Sequence, residues 1–591
     1  MVIKCKLLNV IVLTHISVSI LNAQERVVTY NPKPWLPTIW KSEAPAGCPF
    51  EQSKDIVGLA FTRQYVSYTD ADTFYPSWAV DDNMYCGWTD GEIGLEAVQS
   101  GGREKARAGI VKIEGSDPMN LKVTSLGSLG ASASPYGGRY PCANLVYDGI
   151  WYYGTYGVDF DFSKPEYPNE YSWAICGPLP GFAISTDYGK TWTPCPHDLY
   201  SPLMPESGKD GKQVKLGTPH FVDFGKNLQY SPDGKAYLVG HGALDNDPTP
   251  RVANNSWIAG DAVYMARVTP SVENINDISK YEFFAGFDKK KAAVWSSDFS
   301  RIQPLLVWDD RMGCTTITYN PVLKKYIMCT TDGWPGMKDM NSYLLESDQI
   351  TGQYKLITYM KNFGRQAYFL NLPSRFIGET GRTAWLSYSA NFNNVYFCDR
   401  TLADPIGSRY AWNLQEFLLL DTDTKNRIEA FPAEQMDPIK EKNNIALRSN
   451  VTVSSANKKF RIFSELITYF GEGAVDGIVP NSEAPGSYRV NEWVTEGEKG
   501  SAMIRLNWNQ PEKISRVWLF DRPNLKDQVT SGMLVFSDGS TIQVGELPND
   551  AKSCKEIAFP EKTVTWAAFF VNTVSPTTSN VGLAEFAVFA Q

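Results

Sequence analysis

Between about residues 58 and 420 the chain repeats one pattern five times: an apolar run, a polar turn, a second run rich in aromatics, and a third run toward an edge. The first copy has Tyr75 to Ala79, a turn at Asp81-Asp82-Asn83, Met84 to Trp88, then Gly109 to Ile113. The second has Tyr140 to Tyr147, Asp148-Gly149, Ile150 to Tyr156, then Gly181 to Ser185. The third has Pro219 to Val222, Pro232-Asp233-Gly234, Ala236 to Gly240, then Ala262 to Val268. The fourth has Cys314 to Tyr319, Asn320-Pro321, Lys325 to Thr330, then Ser342 to Glu346. The fifth has Ala367 to Leu372, Glu379-Thr380-Gly381, Thr383 to Ser389, then Asn394 to Asp399. Apolar runs bounded by such turns read as β-hairpins. Repeated small sheets of this size predict a five-bladed β-propeller. A large β-sandwich or a β-solenoid is the alternative, and a sixth copy has room in residues 24–60.

The length asks for more than this one body, because 591 residues exceed what one core holds. Hydrophobic residues, at 43%, supply sizeable cores, and a net charge of -9 argues against nucleic acid and anionic membranes as partners. Residues 1–23 carry Lys4 and Lys6, an apolar run from Leu7 to Leu21, and Leu21-Asn22-Ala23 before Gln24. That is the pattern of a signal peptide cleaved after Ala23. The run is shorter than the roughly 20 residues a bilayer span needs. The expectation is a secreted or periplasmic protein without membrane insertion, with residues 24–57 as an N-terminal extension. Of ten cysteines, Cys5 lies in the leader; the others, Cys398 included, are widely spaced and form no CxxC pair. This argues against a zinc site. A disulfide such as Cys176 with Cys195, and buried free thiols, both stay open.

Residues 421–450 are charged and polar and read as a linker. From 451 the texture changes. Ala474-Val475-Asp476-Gly477 is followed by Glu492-Trp493, then strand-like runs at Ala502 to Trp508, Val517 to Phe520, Leu534 to Phe536 and Val581 to Phe586. This order resembles the discoidin, or coagulation-factor type C, jelly roll of galactose-binding-like domains. The resemblance implies a β-sandwich over 451–591, one edge of which binds carbohydrate, and a structural calcium. Asp476 is the candidate ligand, a turn residue before Gly477 being its other reading. No further cofactor is expected. Within the second copy, Ser185-Thr186-Asp187-Tyr188-Gly189-Lys190-Thr191-Trp192 resembles the Asp box of sialidases and other secreted propellers. There Ser and Asp cap a turn, Gly takes positive φ, and Trp wedges between blades, so these residues serve folding.

The five-copy region resembles the propellers of five-bladed glycosidases, family 43 and its relatives. In such a ring the innermost strands start around one funnel. Those starts are Asp70 to Phe74, Gly138 to Tyr140, Gly217 to His220, Asp309 to Met312 and Gly364 to Tyr368. Inverting hydrolysis needs a carboxylate base and a carboxylic acid roughly 6.5–9.5 Å apart. The resemblance implies Asp72, at the first start, as the base. It also implies a Glu acid in the third blade and a tuning Asp in the second, and neither start carries one. His220 is therefore the acid candidate, with Asp245, Asp247, Asp261, Asp309, Asp310 and Glu346 as other carboxylates to weigh. His241, Asp245 and Asp310 are expected at the substrate, and a metal on the two histidines is a weaker option. Arg139, Arg311 and Arg365 at the starts suit a substrate carboxylate or sulfate. Trp334 and Tyr368, beside Trp88 and Trp151, are candidate stacking platforms. The expected function is a secreted glycoside hydrolase that inverts at a complex, acidic or neutral, polysaccharide and carries an appended carbohydrate-binding domain. A non-catalytic glycan-binding protein and a polysaccharide lyase on the same scaffold are the alternatives.

Overall fold

The computed structural model describes residues 23–31, 36–130, 132–159, 175–206, 214–244, 256–333, 340–390, 405, 407–431, 437–441, 443–460, 465–467, 471–479, 491–550 and 552–590. The leader 1–22, the carboxylates Asp245 and Asp247, Trp334 and Cys398 lie outside the described residues. The fold is almost all β, 48% strand, with one α-helix, Thr422–Glu429, among the described residues. No described helix is long and apolar enough to cross a membrane.

Five antiparallel sheets make a five-bladed propeller. Blade one runs outward from Asp70–Asp72 through Met84–Ile93 and Arg107–Glu114 to Lys122–Gly130. Blade two starts at Gly138–Tyr147, blade three at Gly217–Phe221 and blade four at Gly313–Asn320. Blade five starts at Tyr368–Asn371 and continues through Thr383–Ser389 and Asn413–Leu419. Its next strand, Leu59–Ser67, comes from the other end of the sequence, and Thr38–Ile39 lies outside that. The expected room for a sixth copy is thus filled otherwise. An open ring would leave the last blade with a bare edge, and the early strand covers it. Ile56, Leu59 and Phe61 are buried there against Leu386, Phe417 and Leu419.

The innermost strands share one irregularity. In each, the register against the second strand slips, at Asp70/Asp72, Cys142/Asn144, Gly217/His220, Gly313/Thr316 and Tyr368/Asn371. In blades two to five one non-glycine residue within the slip takes positive φ, namely Ala143, Thr218, Cys314 and Phe369, and in blade one Thr73 does so just after it. A β-bulge of this kind re-aims the following side chains. In three blades the re-aimed residue ties the ring together. Asn144 Nδ2 donates to the carbonyls of Tyr75 (3.0 Å) and Tyr85 (2.7 Å) in blade one. Thr316 Oγ1 donates to Leu370 O (2.7 Å) in blade five, and Asn371 Nδ2 to Phe74 O (2.8 Å) in blade one.

The turn after Phe182–Ser185 has the bonds its residues favour. Gly189 N–H donates to Ser185 Oγ (2.8 Å), Thr191 N–H and Oγ1 donate to the Asp187 carboxylate (2.9 and 2.7 Å), and Gly189 has φ 91°. These donors hold Asp187 down at about 2, backbone and side chain of Thr191 foremost. Trp192 packs on Trp151 and Tyr153, in a cluster shared with Tyr85 and Ile110 of blade one.

The chain forms two compact units, the propeller unit spanning Trp35–Pro432. The other is a β-sandwich whose long strands Met503–Phe520 and Ser553–Val574 pair along most of their length. The first half of Met503–Phe520 also pairs with Asn450–Val453 and the second half with Glu585–Ala590. Between the layers lie Ile504, Leu506, Val517, Leu534, Phe536, Phe569 and Val588. Two features depart from the sequence reading. The strand Gln24–Thr29, inside the expected extension, pairs in register with Ser553 to Ala558 of this sandwich. Part of the expected linker also belongs to it, because Ile439, Ile445 and Ala446 are buried in its cores. Polar composition hid those few apolar anchors. The eight described cysteines, Cys176 and Cys195 among them, are free thiols.

Candidate active site

The funnel position of blade one is Asp72, which directly precedes Thr73 at positive φ. The corresponding positions are Cys142, Gly217, Gly313 and Tyr368. Two of these are glycine for lack of room: a Cβ on Gly217 would stand 2.9 Å from His241 O, and one on Gly313 2.0 Å from Ile258 O.

Asp72 is 4% exposed. Its Oδ1 accepts from Thr73 Oγ1 (2.8 Å) and its Oδ2 from Tyr368 Oη (2.8 Å), so blade five reaches across to orient it. Burial pushes the carboxyl well above the ordinary range, and the neighbouring carboxylate of Asp90 pushes the same way; the hydroxyl donors only partly offset this. Asp90 sits at positive φ on the second strand of blade one, its carboxylate held by Ser100 N–H (2.7 Å) and Oγ–H (2.6 Å). Burial raises it too. Two carboxyls so placed titrate together and not as independent groups.

Asp90 was missed in the sequence. A blade-by-blade alignment would have found it: Trp88-Thr89-Asp90 and Thr330-Thr331-Asp332 hold matching places on the second strands of blades one and four, Thr89 pairing with Asp72 and Thr331 with Gly313. Asp332, fully buried, accepts from Arg311 Nη1 and from Tyr343 Oη (3.0 Å).

His220 lies on the far side of its bulge, at the position where Asn144, Thr316 and Asn371 tie neighbouring blades. It is 2% exposed and stacks on Tyr75, ring centroids 3.6 Å apart. Neither ring nitrogen has a hydrogen-bond partner among the described residues. Burial, then the nearby His241, drives its pKa far below 6.5, so the ring is neutral. His241 is fully buried, its Nε2 on Ser256 O (2.7 Å) and its Nδ1 on Thr218 Oγ1 (3.1 Å). Burial lowers it to about 4. A carbonyl on Nε2 makes that nitrogen the donor and leaves Nδ1 to accept.

A second missed carboxyl stands before the third blade. Glu206 is 3% exposed, and one of its oxygens accepts from Lys215 N–H and from Leu216 N–H (3.0 Å), just ahead of the strand Gly217–Phe221. Its other oxygen has no partner among the described residues. Burial raises it to about 7, the backbone donors only partly opposing. Its carboxylate lies near enough to Cys176 to raise that thiol further. Glu206 thus stands at the entry of blade three, and Asp72 at the entry of blade one. Nothing in the local motif marked Glu206, which stands well ahead of its strand in the sequence.

The other candidates divide. Asp310 N–H donates to Asp261 Oδ1 (3.1 Å) at the start of blade four. Glu346 is held by Lys325 Nζ (3.0 Å) and Ser53 Oγ (2.8 Å) on the third strand of blade four. Tyr368 is buried and spends its hydroxyl on Asp72, while Trp88 and Trp151 are fully buried in blade cores. Arg139 and Arg365 flank the starts of blades two and five. Asp55, Glu346 and Asp348 are close enough to share a cation, but Lys325 Nζ already lies 2.6, 3.0 and 2.7 Å from them.

In the sandwich, Asp476 is buried and accepts from Ile478 N–H (2.8 Å) and Asn491 Nδ2 (2.7 Å). Beside it Glu585, fully buried, is pushed well up by burial and by Asp476, and its Oε1 has no partner among the described residues.

A family profile described as a domain of unknown function, DUF7402, matches residues 444–589. No curated protein matches the chain. Among solved structures, one described as a glycoside hydrolase is similar at 10% identity and TM-score 0.29, covering 89% of this chain and 98% of its own. The second chitosan-binding module of a Paenibacillus sp. IK-5 chitosanase/glucanase, solved with chitotriose, is 19% identical over 25% of this chain and 100% of its own, TM-score 0.18. The lectin domain of lectinolysin, solved with Lewis B antigen, is 18% identical over 26% and 99%, TM-score 0.19. Likenesses this distant do not assign an activity.

Proposed function

We infer that the propeller is a glycoside hydrolase in which Asp72 is the general base and Glu206 the general acid. The observation that carries this is a pair of buried carboxyls at the entries of blades one and three, both raised by burial. A raised carboxyl is the stronger base when ionised and a competent proton donor when not. Asp72 is oriented through both oxygens and backed by Asp90, which suits the removal of a proton from water. Glu206, with one oxygen fixed by backbone N–H groups and the other open, suits the protonation of a leaving oxygen. In this reading the reaction inverts the anomeric carbon, with water entering from the Asp72 side. His220 is the less suited donor, because it is neutral and stacked on Tyr75. The lyase reading has less support, because His241 spends both nitrogens on Ser256 O and Thr218 Oγ1 and Tyr368 spends its hydroxyl on Asp72.

We assign the sandwich to carbohydrate binding in the same proposal, with a secreted or periplasmic location following from the leader. A calcium ion fits at Asp476 to the extent that Glu585 Oε1 offers an uncompensated buried oxygen next to it.

Incubation with a panel of polysaccharides, with reducing ends and unsaturated uronides read together, tests the proposal. Wild type should release reducing ends without unsaturation, and Asp72→Asn should lower the rate by about 10²–10⁴-fold while folding normally, as expected for loss of a general base. Unsaturated products, or full activity in Asp72→Asn, would refute it.

A further inference from the structure

Three arginines flank the blade starts, and their surroundings separate them. Arg139 donates through Nε to Thr155 Oγ1 (2.6 Å) and through Nη1 to Ser132 O (2.8 Å). Arg311 donates through Nη1 to Asp332. Arg365 differs, since its Nη1 is buried and has no hydrogen-bond partner among the described residues. A guanidinium keeps its charge at any ordinary pH, so an unpaired, buried N–H arm is costly to hold.

The segment carrying this arginine is also strained. Asn362, Gly364, Arg365 and Gln366 have φ of 51°, 58°, 49° and 67°. Three of the four are not glycine, and side chains avoid that left-handed region. The turn is held by Arg365 N–H to Asn362 O (3.1 Å), Ala367 N–H to Phe363 O (2.9 Å), and Asn362 N–H to Asn341 Oδ1 (2.9 Å). Strain of this kind persists where the surroundings fix a group for use. Three residues further on stands Tyr368, whose hydroxyl orients Asp72. The cation is therefore presented at the same blade start that holds the proposed base in position.

We propose that Arg365 binds an anionic group of the sugar, a uronate carboxylate or a sulfate ester, beside the bond processed at Asp72. The inference rests on the funnel as the substrate site and names the class of substrate it takes. The fork of a guanidinium matches the oxygens of either anion. With a net charge of -9 the chain as a whole repels acidic polymers, so selectivity for them needs a local cation. A neutral sugar would leave the buried arm unpaired, which is how such a site rejects it.

The test uses matched oligosaccharides that differ only in this group: the uronate, its carboxyl-reduced neutral twin, and the sulfate ester. kcat/KM is measured for wild type, Arg365→Gln and Arg365→Lys, and binding by calorimetry with each change placed in an Asp72→Asn background. Wild type should prefer one acidic form over the neutral twin by about 100-fold, the scale of a buried charge pair. Arg365→Gln should erase that ratio, and Arg365→Lys, with the charge but not the fork, should recover part of it. The uronate and sulfate arms tell which anion is read. A preference that survives Arg365→Gln, or no preference in wild type, overturns the proposal. If Arg365→Gln does not fold, a full wild-type preference in Arg365→Lys overturns it equally. Binding that depends on Arg365, without turnover of any member, would sink the hydrolase reading and leave the anion site standing. Turnover without acidic preference would do the reverse.

Discussion

At the scale of single residues, the protonation of Glu206 makes a claim about stability as well as chemistry. Its carboxyl is raised from 4.5 to about 7 in the folded chain. Between those values the folded state binds a proton that the unfolded state releases, so stability falls as pH rises through that window. The full effect is on the order of 3 kcal/mol. His241, lowered from 6.5 to about 4, works in the opposite direction: its contribution is whole above 6.5 and is lost as pH falls toward 4. Glu206→Gln removes the first slope and leaves the second. Melting temperatures of wild type and Glu206→Gln from pH 4 to pH 8 should therefore diverge, the variant gaining relative to wild type as pH rises. Parallel curves would mean that Glu206 is ionised throughout and is no proton donor near neutrality.

At the scale of elements, the repeats made the five blades legible because each blade is local in sequence and carries its own turns. What stayed hidden was non-local. Leu59–Ser67 closes blade five from the far end of the sequence, and Gln24–Thr29 joins the sandwich edge at Ser553 to Ala558. A strand's own residues do not say which sheet it completes. The same limit applied to the site. Asp72 was legible because it stands at the start of a blade, whereas Asp90 lies within a second strand and Glu206 stands outside any strand. The early strand yields a specific expectation. Arg26 Nε pairs with Glu556 (2.6 Å), and Tyr30 Oη donates to Asp437 (2.6 Å). A fragment of residues 437–591 should fold but melt lower than the same fragment given residues 23–31 as a tethered peptide, by several degrees for about 1 kcal/mol. Equal melting would show that the strand adds nothing. Loss of melting temperature on chelation in that fragment would support a calcium ion beside Asp476.

At the scale of the whole molecule, the chain joins a ring of five sheets to a sandwich, and the proposed chemistry is confined to the ring's axis. Five equivalent bulges aim side chains around that axis. Blades two, four and five spend theirs on stitching the ring, and blade three presents His220 to Tyr75. The proposed chemistry then falls to Asp72, which Tyr368 of blade five orients, and to Glu206 ahead of blade three. The claim that matters most is the division of labour between the two carboxyls. Its most direct test is the rate of Glu206→Gln on two substrates of the same sugar, one with its natural leaving group and one with a dinitrophenyl group that departs without a proton. The account predicts a loss of about 10²–10⁴ on the natural linkage and a loss of less than about 10-fold on the aryl glycoside. Equal losses on both, or none on either, would contradict Glu206 as the acid.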